Sequence, residues 1–311
     1  MEAAILGFIG SKNIGDYIQT KAVIDIVNTK KIKILDRENL DKHKEGKIKT
    51  IINGWFMENP KNWPPSNKIK PLFISFHINP SAEGELLKEK SLEYFKEHEP
   101  IGCRDFYTRD ILLEKGINAY YSSCITTSLE RKNYLKKNIQ PEGIMVIGAF
   151  DRLKPTLDKK SIVKLFMSIL KYPIKKAVYA LKVSQFNRYL NNKKIKIYRH
   201  SQLVKEPIKS HNEGLKLAEE MLEKIAQCEI LITSRIHAAL PALAMGLKVI
   251  FIDEGLDHKN HKHRLSGLRN YFTCTNLKDF FMINLDSITE GEAHKKHIIK
   301  IKKTINNFLN Q

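Results

Sequence analysis

Apolar residues fall in short continuous runs separated by stretches at helical spacing. This predicts an α/β chain with parallel sheets covered on both faces. Ala3 to Gly10 (AAILGFIG) is a compact strand run, followed by a polar loop, Ser11 to Asp16, and then by Ile18, Ala22 and Ile26 on one helical face. Further strand runs lie at Ile32 to Leu35, Thr50 to Trp55, Leu72 to Ile78, Pro100 to Cys103 and Ala119 to Ser123. Helical patterns occupy Glu85 to Glu97 and Phe106 to Lys115, the second closed by Gly116 as a C-cap.

The pattern restarts at the strand run Gly143 to Phe150. A basic segment, Lys159 to Asn192, predicts two helices broken near Pro173. Then come the strand Ile195 to His200, the helix Glu213 to Gln227, the strand Glu229 to Thr233, the helix Ala238 to Met245, the strand Lys248 to Asp253 and a last helix, Ala293 to Leu309. Two such halves, joined near Lys136 to Glu142, predict two Rossmann-like domains facing a cleft, residues 1–138 and 139–311. In open sheets of this kind ligands sit beyond the carboxyl ends of strands. The loops after Gly10, Trp55, Ile78, Cys103, Ser123, Phe150, His200, Thr233 and Asp253 are therefore where chemistry is expected.

A length of 311 residues suits two domains of about 150 residues each. With 42% hydrophobic and 28% charged residues the chain is neither disordered, collagen-like nor a disulfide scaffold. No apolar run reaches the roughly 18 residues that span a bilayer, and the first residues lack the basic and small-residue marks of a signal peptide. Four scattered cysteines with no CxxC pair point to a reduced, cytoplasmic compartment. The net charge of +19 comes mostly from Lys, 43 of the 53 basic residues. Without an Arg-rich stripe or a nucleic-acid motif, no nucleic-acid partner is expected. A solvated Lys-rich surface explains the charge first. Peripheral attraction to an anionic membrane, at about 1 kcal/mol per basic residue, comes second, and a pull on anionic substrates third.

Gly10 to Asp16 joins a strand to a helix. It is either an anion-binding turn or a turn capped by Asn13 or Asp16. In Thr233 to His237, Arg235 offers a planar fork for carboxylate or phosphate and His237 can move a proton near neutral pH. Sharing one strand's carboxyl end, they favour a functional role over an incidental basic pair. Arg104 in Gly102 to Asp105 is an anion ligand or half of an Arg104–Asp105 pair, and Cys103 is expected as a buried strand cysteine rather than a nucleophile. His77 ends a strand, where a structural histidine is the common case. His258, His261 and His263 hint at a metal. The interleaved Lys259, Lys262 and Arg264 would repel a cation, so a basic loop closing over an anionic substrate is expected and no metal.

Three segments carry a resemblance: GSKNIGDYIQ (Gly10 to Gln19), GCRDFYTRDILLEKGI (Gly102 to Ile117) and SRIHAALPALAMG (Ser234 to Gly246). In order and spacing the chain resembles the polysaccharide pyruvyl transferase family, over residues 5–255. The resemblance implies a GT-B-like arrangement with the active site between an N-terminal acceptor side and a C-terminal donor side. It implies transfer of a pyruvyl group from phosphoenolpyruvate to a sugar of a cell-surface polysaccharide or its lipid-linked precursor, forming a ketal. The implied phosphoenolpyruvate contacts are Arg104, Arg235, Ile236 through its backbone, and His237. His237 is the implied general acid, Asp16 orients or deprotonates a sugar hydroxyl, and Asn13, Gln19 and His77 are acceptor contacts. Neither metal nor nucleotide cofactor is required. The alternatives are a GT-B glycosyltransferase using a nucleotide sugar, and a non-catalytic binder of nucleic acid or membrane surface driven by charge. The basic 152–192 segment matches no family motif and is expected to hold the acceptor or touch a membrane.

Overall fold

The computed structural model describes residues 2–28, 31–158, 161–256, 263 and 265–311. Two parallel sheets carry the fold. The first is built by β1 (Glu2–Gly7), α1 (Ile14–Val27), β2 (Lys33–Asp36), β3 (Ile48–Phe56), β4 (Ile69–Ile78), α2 (Glu83–Leu86), α3 (Glu89–Glu97), β5 (Ile101–Cys103), α4 (Phe106–Glu114) and β6 (Ala119–Tyr121). Its strand order is β2-β1-β3-β4-β5-β6. The second is built by β7 (Ile144–Ile147), α5 (Ile162–Asn191), β8 (Ile197–His200), α6 (His211–Ala226), β9 (Ile230–Thr233), α7 (Ile236–Ala244), β10 (Lys248–Ile252), β11 (Thr273–Thr275) and α8 (Leu277–Phe280), in the order β11-β10-β9-β7-β8. A last helix, α9 (Lys295–Asn310), returns to the first sheet, where Lys302 pairs with Glu130 and Lys49 donates to the Leu309 carbonyl.

Both sheets share one winding. In each, the first strand stands between the second and the third, so the connections diverge to opposite faces at that point. This is the flavodoxin-like variant of the doubly wound sheet, and the crevice it opens is the usual ligand position. The first crevice lies beyond β1 and β3, the second beyond β7 and β9.

The halves are joined by packing as well as by chain. Helix α1 is capped by the Asn13 side chain, which accepts from the Gly15 N–H, and stops at Asn28 in the left-handed region. Tyr17, Ile18, Gln19, Thr20, Ala22 and Val23 are all buried, so α1 has no wet face of ordinary width. It lies against the first sheet on one side and against α6 and α7 on the other. One apolar core accordingly runs from Ile5, Ile51 and Phe73 through Ile18 and Leu222 to Leu231 and Leu240. A smaller core on the far face of the second sheet holds Ile232, Ile250, Phe280, Phe186 and Leu190.

Two expectations are corrected. The Glu85 to Glu97 pattern is two helices, α2 and α3. Conversely, the break at Pro173 does not occur, and α5 runs for 30 residues through it. Pro173 and Ile169, whose carbonyl loses its donor there, are both exposed, so water can take the lost bond. Only the last turns of α5 reach the core: Phe186 and Leu190 are buried, while Ile162, Phe166 and Ile174 are open to solvent.

This asymmetry predicts opposite outcomes on one helix. Phe186→Ala should lower unfolding free energy by about 3–5 kcal/mol, whereas Ile162→Ser should fall within about 0.5 kcal/mol of the parent. Urea midpoints at constant slope measure both.

Candidate functional site

The two crevices open on one another. The loop after β1 crosses to the segment after β8 through four backbone bonds. These are Gly10 N–H to the Ile208 carbonyl (2.8 Å), Ile14 N–H to Gln202 (2.9 Å), Val204 N–H to Lys12 (2.9 Å) and Ile208 N–H to Ser11 (2.9 Å). Side chains extend the strap: Gln202 Nε2 donates to Asn13 Oδ1 at 2.7 Å, and Lys12 Nζ to the Lys205 carbonyl at 2.9 Å. The Asn13 oxygen therefore caps α1 and receives Gln202 at once.

Position 15 sets the distance between the two motifs. A Cβ built on Gly15 would lie 2.8 Å from His237 Cβ and would overlap Gln202 Nε2. Only a residue without a side chain lets the start of α1 meet the first turn of α7. Two strand-to-helix loops, 220 residues apart in the chain, are thereby brought into contact.

Two cavities share this junction. The smaller, about 200 Å³, is walled by Asn13, Asp151, Arg152, Gln202, Arg235, Ile236 and His237. That volume is of the size of a small acid. The larger, about 770 Å³, is lined by Gly10 to Asn13, Asp16, Arg37, Glu38, Trp55, Glu58, Asn59, Asn79 and His237, among others. Asn13 and His237 belong to both.

Arg235, at the N-cap of α7, is aimed by Asp151 on the loop after β7. Its Nε and Nη2 donate to Asp151 Oδ2 at 3.0 and 2.6 Å, and Lys154 Nζ lies 2.9 Å from Oδ1. Burial opposes ionisation of Asp151, but Lys154 and Arg235 outweigh it and hold the carboxyl below its usual range. Gly148 makes room for this pair: its φ is +54°, and a Cβ there would meet Asp151 Oδ2 and, at 3.3 Å, Arg235 Cγ. Arg152 is steadied over the Phe251 ring, 5.3 Å from its centroid. The Arg235 N–H donates to Thr233 Oγ1, and the Ala238 and Ala239 N–H groups donate to the Arg235 carbonyl, so what the small cavity presents to an anion is the Arg152 and Arg235 guanidiniums beside the positive end of the α7 dipole.

Of the expected residues, Asn13, Asp16, Arg235, Ile236 and His237 converge at this junction. Asp16 accepts from Ser11 Oγ at 2.6 Å and faces the larger cavity. Arg104, Gln19 and His77 do not reach the walls of either cavity. They lie behind the strand ends of the first sheet, each at most 1% exposed. Gln19 rests against Gly54 of β3. His77 Nδ1 is 2.6 Å from Asp105 Oδ2, and Arg104 Nε is 3.4 Å from the same oxygen. Burial pushes the Asp105 carboxyl up, while His77 and Arg104 pull it further down. Burial raises the Cys103 thiol well above its ordinary value, in keeping with a buried strand cysteine. His258 and His261 lie outside the described residues, and His263 stacks on Tyr107 at 4.4 Å between centroids.

Asp151, Arg152 and Gln202 escaped the sequence reading. The first two follow the carboxyl end of β7 beside the switch point, which a predicted strand order would have singled out. Gln202 sits in the loop after His200, one of the strand ends where chemistry is expected, but nothing in the residues of that loop singles it out.

Gly15→Ala should cost about 1–3 kcal/mol of stability through overpacking. Gly84→Ala, in a helix with open space around its Cβ position, should be neutral or slightly stabilising. Thermal melts of the two variants decide this. Because the folded-state carboxyl of Asp151 is depressed, its stabilising contribution is complete above the unfolded value of about 3.9 and is lost as pH falls through the folded value. Asp151→Asn should lose about 1–2 kcal/mol at neutral pH, with the gap to the parent closing below about pH 4. Urea midpoints across pH measure that gap.

Known proteins resemble the chain in fold and in family. Among curated proteins none matches the chain in sequence. An uncharacterized protein of Klebsiella pneumoniae shares the fold at 12% identity and TM-score 0.51, over 88% of this chain and 92% of that one. UDP-GlcNAc 2-epimerase of Methanocaldococcus jannaschii, in complex with UDP-GlcNAc and UDP, aligns at 10% identity and TM-score 0.43, over 98% of this chain and 100% of that one. MnaA of S. aureus with UDP aligns at 10% and 0.46, over 100% and 97%. The family model for polysaccharide pyruvyl transferase matches residues 13–255, a span that runs from the Asn13 cap through Arg235 and His237, and the chain belongs to that family of transferases.

Proposed function

We propose that the small cavity binds phosphoenolpyruvate and the larger one the acceptor sugar, and that the product is a pyruvyl ketal. The observation that carries this reading is the place of His237, a wall of both cavities. A group that must protonate a donor while an acceptor attacks it belongs at such a junction.

Phosphoenolpyruvate bears a phosphate and a carboxylate, and two guanidinium forks answer them. Arg235 supplies one. In this reading Arg152 supplies the other, in place of Arg104, because Arg152 lines the cavity and Arg104 does not. Asp151 keeps the Arg235 fork aimed and yields one of its bonds when the anion enters. His237 delivers a proton to the methylene carbon, which becomes a methyl group and leaves the central carbon electron-poor. A sugar hydroxyl adds there and a second hydroxyl displaces the phosphate. The two hydroxyl protons re-protonate His237 and leave with phosphate or solvent. Asp16, held by Ser11 and facing the larger cavity, orients or deprotonates the attacking hydroxyl. Trp55 offers that cavity an apolar wall for a sugar ring, while Glu38, Glu58 and Asn59 offer hydrogen bonds. The scheme draws on no metal or nucleotide.

Phosphoenolpyruvate at a hundred times its dissociation constant should stabilise the protein by about 2.7 kcal/mol. The shift should vanish in Arg235→Ala and Arg152→Ala. His237→Asn should keep it while phosphate release and pyruvyl mass gain on the acceptor fall about 10²–10⁴-fold. Stabilisation by a nucleoside diphosphate and none by phosphoenolpyruvate would replace this reading with a nucleotide-sugar glycosyltransferase.

A further inference from the structure

Helix α5 is longer than the sheet it crosses. Its 30 residues extend about 45 Å, while β7 and β8, which it connects, have four residues each. As a crossover between parallel strands it starts at the cleft edge of the sheet and ends at the opposite edge. The residues packed on the core lie in its second half: Tyr179, Val183, Phe186, Tyr189 and Leu190. The first half projects beyond the sheet on the side of the cavities. It starts after the loop that carries Asp151 and Arg152.

That projecting half is apolar and uncovered. Ile162 is 87% exposed, Phe166 61% and Ile174 69%, and Val163, Met167 and Leu170 join them. At 3.6 residues per turn these side chains share one broad arc. Lys164, Lys171 and Lys175 fall along one edge of the arc and Lys176 along the other, whereas Lys182, further along the helix, is bonded to Glu254. The helix contains no Asp or Glu. An uncovered apolar stripe of this size on a folded protein marks an interaction surface.

We propose that the projecting half of α5 lies in the surface of an anionic lipid bilayer. The charge selects this occupant. A second copy of the chain would bring lysines against lysines, whereas acidic headgroups match both edges of the stripe while the apolar arc enters the acyl boundary. The helix lies on the membrane and does not cross it: no helix among the described residues is long and apolar enough to span. Docking in this way sets the mouth of the cavities against the headgroups. Resting on the proposed function, this makes a lipid-linked sugar the acceptor class, presented from the membrane directly to the larger cavity.

The test is flotation of the full chain with vesicles of phosphatidylcholine and phosphatidylglycerol at roughly three to one, beside pure phosphatidylcholine. The protein should float with the mixed vesicles and markedly less with the neutral ones, and added salt should weaken the binding. Lys171→Gln, Lys175→Gln and Lys176→Gln together should lower vesicle affinity about a hundredfold, at about fivefold per lysine. Ile162→Ser, Phe166→Ser and Leu170→Ser together should abolish flotation with the melting temperature unchanged and with turnover on a soluble acceptor retained. Failure of the parent to float would overturn the proposal, as would flotation of the serine variant equal to the parent. A dimer in light scattering that the serine variant dissolves, without vesicle binding by the parent, would assign the stripe to a second copy instead. Flotation needs no turnover, so it stands or falls separately from pyruvyl transfer.

Discussion

The contact between the first turns of α1 and α7 is the constraint on which the rest of this structure depends. It exists because Gly15 has no side chain. A methyl group there would press on His237 Cβ and on Gln202, the two side chains that meet at the junction. The shared core of α1, α6 and α7 supplies the apolar attraction that presses the halves together, and the strap from Gln202 to Ile208 fixes their register. The polar site is thus positioned by apolar burial a few residues away.

Electrostatics follow the same division of labour. The chain's +19 charge is carried by lysines over the whole surface, but the site itself is balanced. Asp151 answers Arg235 and Lys154, and Asp16, Glu38 and Glu58 face the larger cavity. The local carboxylates keep each of these cations in one pose. A guanidinium without Asp151 would have a choice of rotamers, and the fork would have to be ordered by the substrate at the substrate's expense.

Much of the fold was legible because parallel strands buried on both faces appear as unbroken apolar runs that alternate with helices, although the order of the strands in each sheet is not written in that alternation. Both halves, the loop at Asn13 to Asp16 and the motif at Arg235 to His237 were visible for that reason. What was not visible depended on tertiary placement. Pro173 suggested a break, yet a proline on the wet side of a helix costs one bond that water can replace. Arg104 and His77 stand at strand ends, as site residues should, but a strand end can turn inward as well as outward. Asp105 draws both of them behind the sheet. Asp151 and Gln202 sit in segments without periodicity, and only the meeting of the two crevices gives them a role.

The strap between the loop after β1 and the segment after β8 has a consequence for how substrates arrive. Swinging the two halves apart would break four backbone hydrogen bonds together and expose a common apolar core. Wide hinge opening therefore costs those bonds and that burial together. Smaller rearrangements of side chains and loops around the existing mouth leave both the strap and the core intact.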